Sequence, residues 1–251
     1  MLISGIQQFT LIDYPGKTAC IIFTPGCNFR CGYCHNPEFV LPERITQLKK
    51  SFIPEKAFWN FLKSRLGSRV LSSCRSDGEW KIVPLLDGVV ISGGEPTMQG
   101  DLIPFMEKIK AQGFLVKLDT NGNRPEIITK ALARGLVDYI AMDVKTSLET
   151  YRALVGPMVS PEKIKMSMEL IQGSGVAYEF RSTLIKEVHS PAILQSMVEL
   201  VRGARRVFLQ SFRAGTTLAP DFAGYHAFSP EEMMHIAKQF QQSVAEVAIR
   251  S

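Results

Sequence analysis

Two hydrophobic patterns alternate along the chain. Short continuous apolar runs, rich in β-branched residues, predict buried strands, and longer stretches with apolar positions three and four apart predict amphipathic helices. Six strands are expected: ACIIFT (19–24), GVVIS (88–92), FLVKL (114–118), DYIAMDV (138–144), AYEFRSTLI (177–185) and RVFLQSF (206–212). Ala57, Phe58, Phe61 and Leu62 form a helical stripe after Pro54, and Ile127, Ile128, Ala131 and Leu132 form another after Pro125. SPEK at Ser160, SPAI at Ser190 and SPEE at Ser229 each place a capping hydroxyl before a proline at the first helical position. Ser229 with Glu232 also spells a capping box.

Alternating strands and helices predict α/β architecture with a parallel sheet. Six such units are too few for a closed eight-stranded barrel but fit an open, partial (β/α)6 barrel, whose working residues belong at the C-terminal ends of the strands. The stretch from Gly67 to Pro84, which contains SSCRSDGEWK, follows neither period and reads as a surface insertion. One domain over 1–251 is expected, with its core over 15–215 and a helical extension over 216–251.

Composition narrows the classes. The 251 residues suffice to bury a substantial core, and 45% hydrophobic with 21% charged residues argues against disorder or a fibrous chain. The start MLISGIQQFTLIDYPGK lacks a basic segment followed by a long apolar run, and no stretch is long enough to cross a bilayer, so a cytoplasmic protein without a membrane partner is expected. Between Lys49 and Lys81, eight Lys/Arg face three Asp/Glu, which accounts for the net charge of +5. A solvated helix face explains that run as well as an acidic partner does, and no nucleic-acid binding is read from it.

The cysteines carry the chemistry. There are five, Cys20, Cys27, Cys31, Cys34 and Cys74, an odd number with three crowded together, which suits a reducing compartment better than a disulfide framework. In PGCNFRCGYCHNP, Cys27, Cys31 and Cys34 follow the spacing Cys-x3-Cys-x2-Cys. Structural zinc normally takes four ligands, commonly as two pairs, and no second pair exists here. An iron-sulfur cubane held by three cysteines keeps one iron able to bind a substrate atom. Cys20 or Cys74 could supply a fourth ligand, but Cys20 lies in an apolar strand and Cys74 in the irregular insertion. The other unusual motifs, SGGEP (92–96), DTNG (119–122) and MDVK (142–145), also follow predicted strands, so all four loops would converge on one rim.

The cysteine spacing, with Tyr33 before the last cysteine, resembles the signature of the radical S-adenosylmethionine (SAM) superfamily. DYPGK upstream, F-x-x-GCN-x-RC-x-YCHNP through the loop, then SGGEPT-x-Q, DTNG and MD-x-K are similar to the glycyl-radical-enzyme activases, nearest the branch of anaerobic ribonucleoside-triphosphate reductase activating proteins. The resemblance implies a cluster loop after the first barrel strand, with a [4Fe-4S] cluster on Cys27, Cys31 and Cys34 and SAM as second cofactor. It implies that SAM is reductively cleaved to a 5'-deoxyadenosyl radical, which takes hydrogen from a glycine of a partner, and that flavodoxin or ferredoxin supplies the electron.

SAM brings an ammonium and a carboxylate that cannot be buried unpaired. Gly93 and Gly94 let backbone approach a ligand, and their carbonyls with the Glu95 carboxylate can accept from the ammonium. An ordinary strand-to-helix turn with a solvated glutamate is the alternative. Asp119 and Asp143 end strands, and two acids on one pocket repel unless a cation separates them. The resemblance implies a monovalent cation there, with the Thr120 and Ala141 carbonyls as further ligands and Lys145 on SAM. The alternative is a turn at Asp119 and Asn121 and a surface pair of Asp143 with Lys145. Arg181 calls for an anion, either SAM or a structural salt bridge. The resemblance lays the backbone of Tyr33 to His35 along the adenine. Some activases place a histidine after the last strand; here Gln210 and Arg213 stand there without a role. Two other readings stay open: a radical enzyme acting on a small molecule or on a different glycyl radical enzyme, and a non-enzymatic iron-sulfur or zinc module.

Overall fold

The computed structural model describes residues 1–66, 68–71, 81–215 and 217–250. Strand β1 (Gly5–Thr10) pairs antiparallel with β2 (Ala19–Thr24). Helices α1 (Pro42–Leu48) and α2 (Glu55–Ser64) follow, then an antiparallel pair, β3 (Ser68–Leu71) and β4 (Lys81–Pro84). The regular part continues with β5 (Gly88–Gly93), α3 (Leu102–Ala111), β6 (Leu115–Thr120), α4 (Pro125–Ala133) and β7 (Tyr139–Asp143). It ends with α5 (Tyr151–Val155), α6 (Pro161–Gly173), β8 (Ala177–Leu184), α7 (Pro191–Leu200), β9 (Arg206–Ser211), α8 (Pro230–Phe240) and β10 (Glu246–Arg250).

The main sheet has the order β1-β2-β5-β6-β7-β8-β9-β10 and every pair after β1 is parallel, so the six expected strands form its centre and the arc stays open. The hydroxyls of Ser160, Ser190 and Ser229 accept from the backbone N–H three residues on, and Glu232 completes the capping box. Phe58 and Leu62 of α2 and Ile128 and Ala131 of α4 are buried.

Three features differ from the expectation. β1 precedes the barrel strands and covers one sheet edge. The 67–84 stretch contains the paired strands β3 and β4, while its middle, with Cys74, lies outside the described residues. The extension after 216, expected to be helical, contains α8 but finishes as β10, paired with β9 from Glu246↔Arg206 to Arg250↔Gln210. EVAIR has charges at both ends and only three apolar residues between them, shorter than the run of four to eight that marks a buried central strand; it is an edge strand.

Strand register separates two faces. Leu118, Ile140 and Tyr178 stand abreast, as do Met142, Phe180 and Val207, and these belong to the large core shared with the helices. On the other face Lys117 stands beside Tyr139, Asp119 beside Ala141, Ala141 beside Glu179, and Asp143 beside Arg181. Among the described residues, a small apolar cluster of Tyr14, Ala19, Ile21, Val90 and Tyr139 lies on that face. The inner wall of this open barrel is therefore charged, and its charges point toward the rim where the motifs lie.

Candidate functional site

The SGGEP loop is bonded to the cysteine loop. Thr24 Oγ1 donates to the Ser92 carbonyl (3.1 Å), Gly94 N–H to the Thr24 carbonyl (2.8 Å), Glu95 N–H to the Gly26 carbonyl (2.7 Å) and Gln99 Nε2 to the Pro25 carbonyl (2.7 Å). This contact explains the glycines. Gly93 has φ +120°, and a Cβ on it would overlap the Thr24 backbone; one on Gly94 would overlap the Gly26 carbonyl. The close approach that Gly93 and Gly94 permit is thus of one loop to the other.

Glu95 is 1% exposed. Its Oε1 accepts from Thr97 N–H (3.1 Å), Thr97 Oγ1 (2.5 Å) and Thr120 Oγ1 (2.8 Å), and its Oε2 from Asn121 N–H (2.7 Å). Burial pushes its carboxyl above the ordinary value, against the pull of these donors. The acceptor capacity of the carboxylate is largely used by the protein. Glu95 is not the solvated glutamate of an ordinary turn; its side chain ties SGGEP to DTNG. Asn121 carries the tie onward, donating to Asn28 Oδ1 (2.8 Å) and lying 3.9 Å from Cys27 Sγ, while its Oδ1 accepts from Asn123 N–H (3.0 Å).

The cation that separates the two strand-end acids is Arg181. Its Nε donates to Asp143 Oδ1 (2.8 Å) and its Nη1 to Asp119 Oδ2 (3.3 Å). Lys117 Nζ also reaches Asp119 (2.5 Å) and Lys145 Nζ reaches Asp143 (2.8 Å). The monovalent cation expected near Asp119 and Asp143 is therefore not needed to balance them: three side-chain cations face two carboxylates. Burial alone would raise both carboxyls, but Arg181 first, then Lys117 and Lys145, hold them below the ordinary range. Burial would likewise lower Lys145, but Asp143 keeps it well above. The pair of Asp143 with Lys145 is largely buried, not the exposed surface pair that the sequence left open.

All thirteen residues singled out from the sequence, Cys27, Cys31, Tyr33, Cys34, His35, Gly93, Gly94, Glu95, Asp119, Asn121, Asp143, Lys145 and Arg181, line one cavity of about 450 Å³, as do Gln210 and Arg213. That volume suits a cofactor-sized ligand. Sequence reasoning missed several contributors. Arg250 on β10 lines the cavity and pairs with buried Glu179 (3.3 Å), an approach visible only once β10 is placed. His189 is buried; its Nδ1 accepts from Ile185 N–H (2.9 Å), so Nε2 donates to the Lys145 carbonyl (3.0 Å) and pins the MDVK loop. A lone histidine before a helix cap gives no signal of this.

The thiols fit an iron-sulfur cluster. Burial pushes Cys27 up to about 12, Cys31 up to about 11, and Cys34 upward, so a strong Lewis acid is needed to ionise them. Among the described residues no group of three or more His, Cys, Asp or Glu is gathered tightly enough for one metal ion. A cubane takes three thiolates on three separate irons, and Cys27, Cys31 and Cys34 of one loop, all lining the cavity, can supply them. Cys20, at 0% exposure in the strand interior, belongs to the core. The Tyr33 hydroxyl is buried without a partner.

Among the described residues no helix is long and apolar enough to cross a membrane. Residues 21–189 match the Radical SAM superfamily model. A protein of Methanocaldococcus jannaschii with the provisional name glycyl-radical enzyme activating enzyme is 30% identical over 255 residues, covering 100% of this chain and 96% of that protein. The pyruvate formate-lyase-activating enzyme of Streptococcus mutans is 28% identical over 150 residues, covering 57% of this chain and 50% of that enzyme. Among solved structures, Streptococcus suis SuiB bound to precursor peptide SuiA superposes with a TM-score of 0.61 at 14% identity, over 93% of this chain and 48% of that one, which shows a shared fold. The chain belongs to the radical SAM superfamily, with homology to the glycyl-radical-enzyme activating enzymes, and its cofactors are a [4Fe-4S] cluster and S-adenosylmethionine.

Proposed function

We propose that this chain activates a glycyl radical enzyme, and that the enzyme to test first is an anaerobic ribonucleotide reductase. The observation that carries the reading is the single cavity in which three thiols of one loop face the SGGEP, DTNG and MDVK loops. When bound, the cluster and SAM supply an adenosyl radical that removes hydrogen from a backbone glycine of the partner. Cys27, Cys31 and Cys34 hold three irons of the cluster. The Gly93 and Gly94 carbonyls, fixed by Glu95, accept from the SAM ammonium. Lys145 and Arg181 offer the SAM carboxylate a cation; with Lys117 they set three positive charges against two acids, which leaves one over. Tyr33 to His35 offer backbone to the adenine. The relatives' names support a glycyl radical enzyme as partner, and the similarity of the cysteine loop to the reductase branch supports the narrower target. Flavodoxin or ferredoxin in a cytoplasmic setting would supply the electron.

The test is anoxic reconstitution followed by electron paramagnetic resonance of the reduced protein before and after SAM, then incubation with reductant and either an anaerobic ribonucleotide reductase or pyruvate formate-lyase. A cluster signal that SAM alters, and a glycyl radical on the reductase, are expected; Cys31→Ala should abolish the cluster signal. A radical on the lyase alone moves the target. A colourless product, or a cluster indifferent to SAM, overturns the reading.

A further inference from the structure

The segment after β9 crosses the open side of the barrel and lies on the cluster loop. β2 and β9 stand five strands apart in the sheet order, so loops leaving their ends meet only by spanning the mouth. They meet at two places. At the first, His35 Nε2 is 2.7 Å from the Arg213 carbonyl, and the His35 ring stacks on Phe212 (centroids 6.0 Å, interplanar 25°). At the second, Ala219 N–H donates to the Gly32 carbonyl (2.9 Å), and Phe222 sits against Gly32 so closely that a Cβ there would overlap its ring. The Phe222 ring also meets Tyr33 (6.0 Å) and Tyr225 (4.5 Å).

Gly32 and Tyr33 are the two residues between Cys31 and Cys34. Whatever holds them fixes the separation and orientation of two of the three thiols. Gly32 has φ outside the left-handed region, so its backbone conformation does not require glycine; the Phe222 ring does. We propose that Phe222 is a positioning residue for the cluster, and that the contacts of Phe212, Arg213, Ala219 and Phe222 on the loop form a strap that slows loss of iron from the cysteines. The proposal rests on the cluster assignment above and adds to it a role for a segment that contributes no thiol. The cost of the strap is a constraint at Gly32; its effect is a ligand loop held from outside as well as by its own metal.

The test uses the full chain, reconstituted and kept anoxic, with bathophenanthroline as iron acceptor and the visible cluster absorbance as readout. Phe222→Ala should lose its cluster about tenfold faster than wild type, the factor that ~1.4 kcal/mol of lost aromatic packing represents. Phe222→Tyr, which keeps the ring, should restore the wild-type rate, and Gly32→Ala should behave as Phe222→Ala does. Thermal melting of the cluster-free proteins should leave Phe222→Tyr with wild type, and the release rates are compared well below the melting temperature of Phe222→Ala, where a folded Phe222→Ala should still lose its cluster faster. If Phe222→Ala fails to fold, His35→Ala, which removes the other contact, should show the faster loss. Equal rates in wild type and a folded variant overturn the strap alone. A wild type that assembles no cluster overturns the cluster assignment and the strap with it.

Discussion

Glu95 stands in a recognisable motif, yet its neighbours decide what it does. Four donors converge on a carboxylate with no cation beside it, so its charge serves to fix two loops. Glu95→Gln replaces one acceptor oxygen by an amide that cannot accept, leaving a buried donor unpaired. A loss of about 1–3 kcal/mol in urea unfolding is expected, together with weaker SAM binding by calorimetry, while the cluster still assembles. His189 acts through the backbone of Lys145. Burial lowers its pKa below the ordinary 6.5, against the bond to the Lys145 carbonyl, which favours the charged form. Below about pH 6.5 the unfolded chain takes up a proton that the fold refuses, so this residue's contribution to stability falls with pH and is flat above that value. His189→Gln should flatten the decline of unfolding free energy between pH 7 and pH 5 relative to wild type; parallel curves would show that the ring is not held neutral.

At the scale of elements, the site is made by a junction between the ends of β2 and β5. The strands run in register from Ala19↔Gly88 to Thr24↔Gly93, and the loops leaving them remain hydrogen-bonded. Gly93→Ala combines a positive φ with a Cβ placed on the Thr24 backbone. Its cost should exceed the ~1 kcal/mol of an ordinary glycine replacement, and opening the junction should weaken SAM binding and cluster retention together. A variant as stable and as tight as wild type would contradict the junction. The helices were the most legible elements, because a hydroxyl before a proline acts locally, at Ser160, Ser190 and Ser229. β10 was the least legible: EVAIR gains its strand character from the edge of β9, a partner more than thirty residues earlier in the chain.

Across the whole molecule, charge on the inner wall replaces the apolar filling of a closed barrel. Arg181 bridges Asp119 and Asp143, and each acid keeps a lysine of its own. Arg181→Met therefore leaves no acid wholly unpaired, and its cost at pH 7 should fall below the 3–5 kcal/mol typical of a broken buried pair, at about 2 kcal/mol. Both carboxyls are held below 3.8 in the fold, so the stability they contribute is present above that value and is lost as pH falls through their folded pKa values. The gap between wild type and variant in urea unfolding should accordingly shrink in acid. Arg181→Lys should not restore the wild-type value, because an ammonium cannot reproduce a guanidinium donating in two directions.

The chain alone determined the central strands, the helix starts, and the convergence of Cys27, Cys31 and Cys34 with the SGGEP, DTNG and MDVK loops, since parallel strands of alternating βα units bring their C-terminal ends to one rim. It could not reveal what each side chain does there. Whether Asp119 and Asp143 hold an ion or face Arg181, and whether Glu95 binds a ligand or ties loops, depends on register between strands far apart in sequence. The same holds for Arg250 and Phe222, brought to the site by the last strand and the segment before it. Local patterns follow from neighbours along the chain; the balance of buried charge follows from neighbours in space, and only the tertiary fold supplies those.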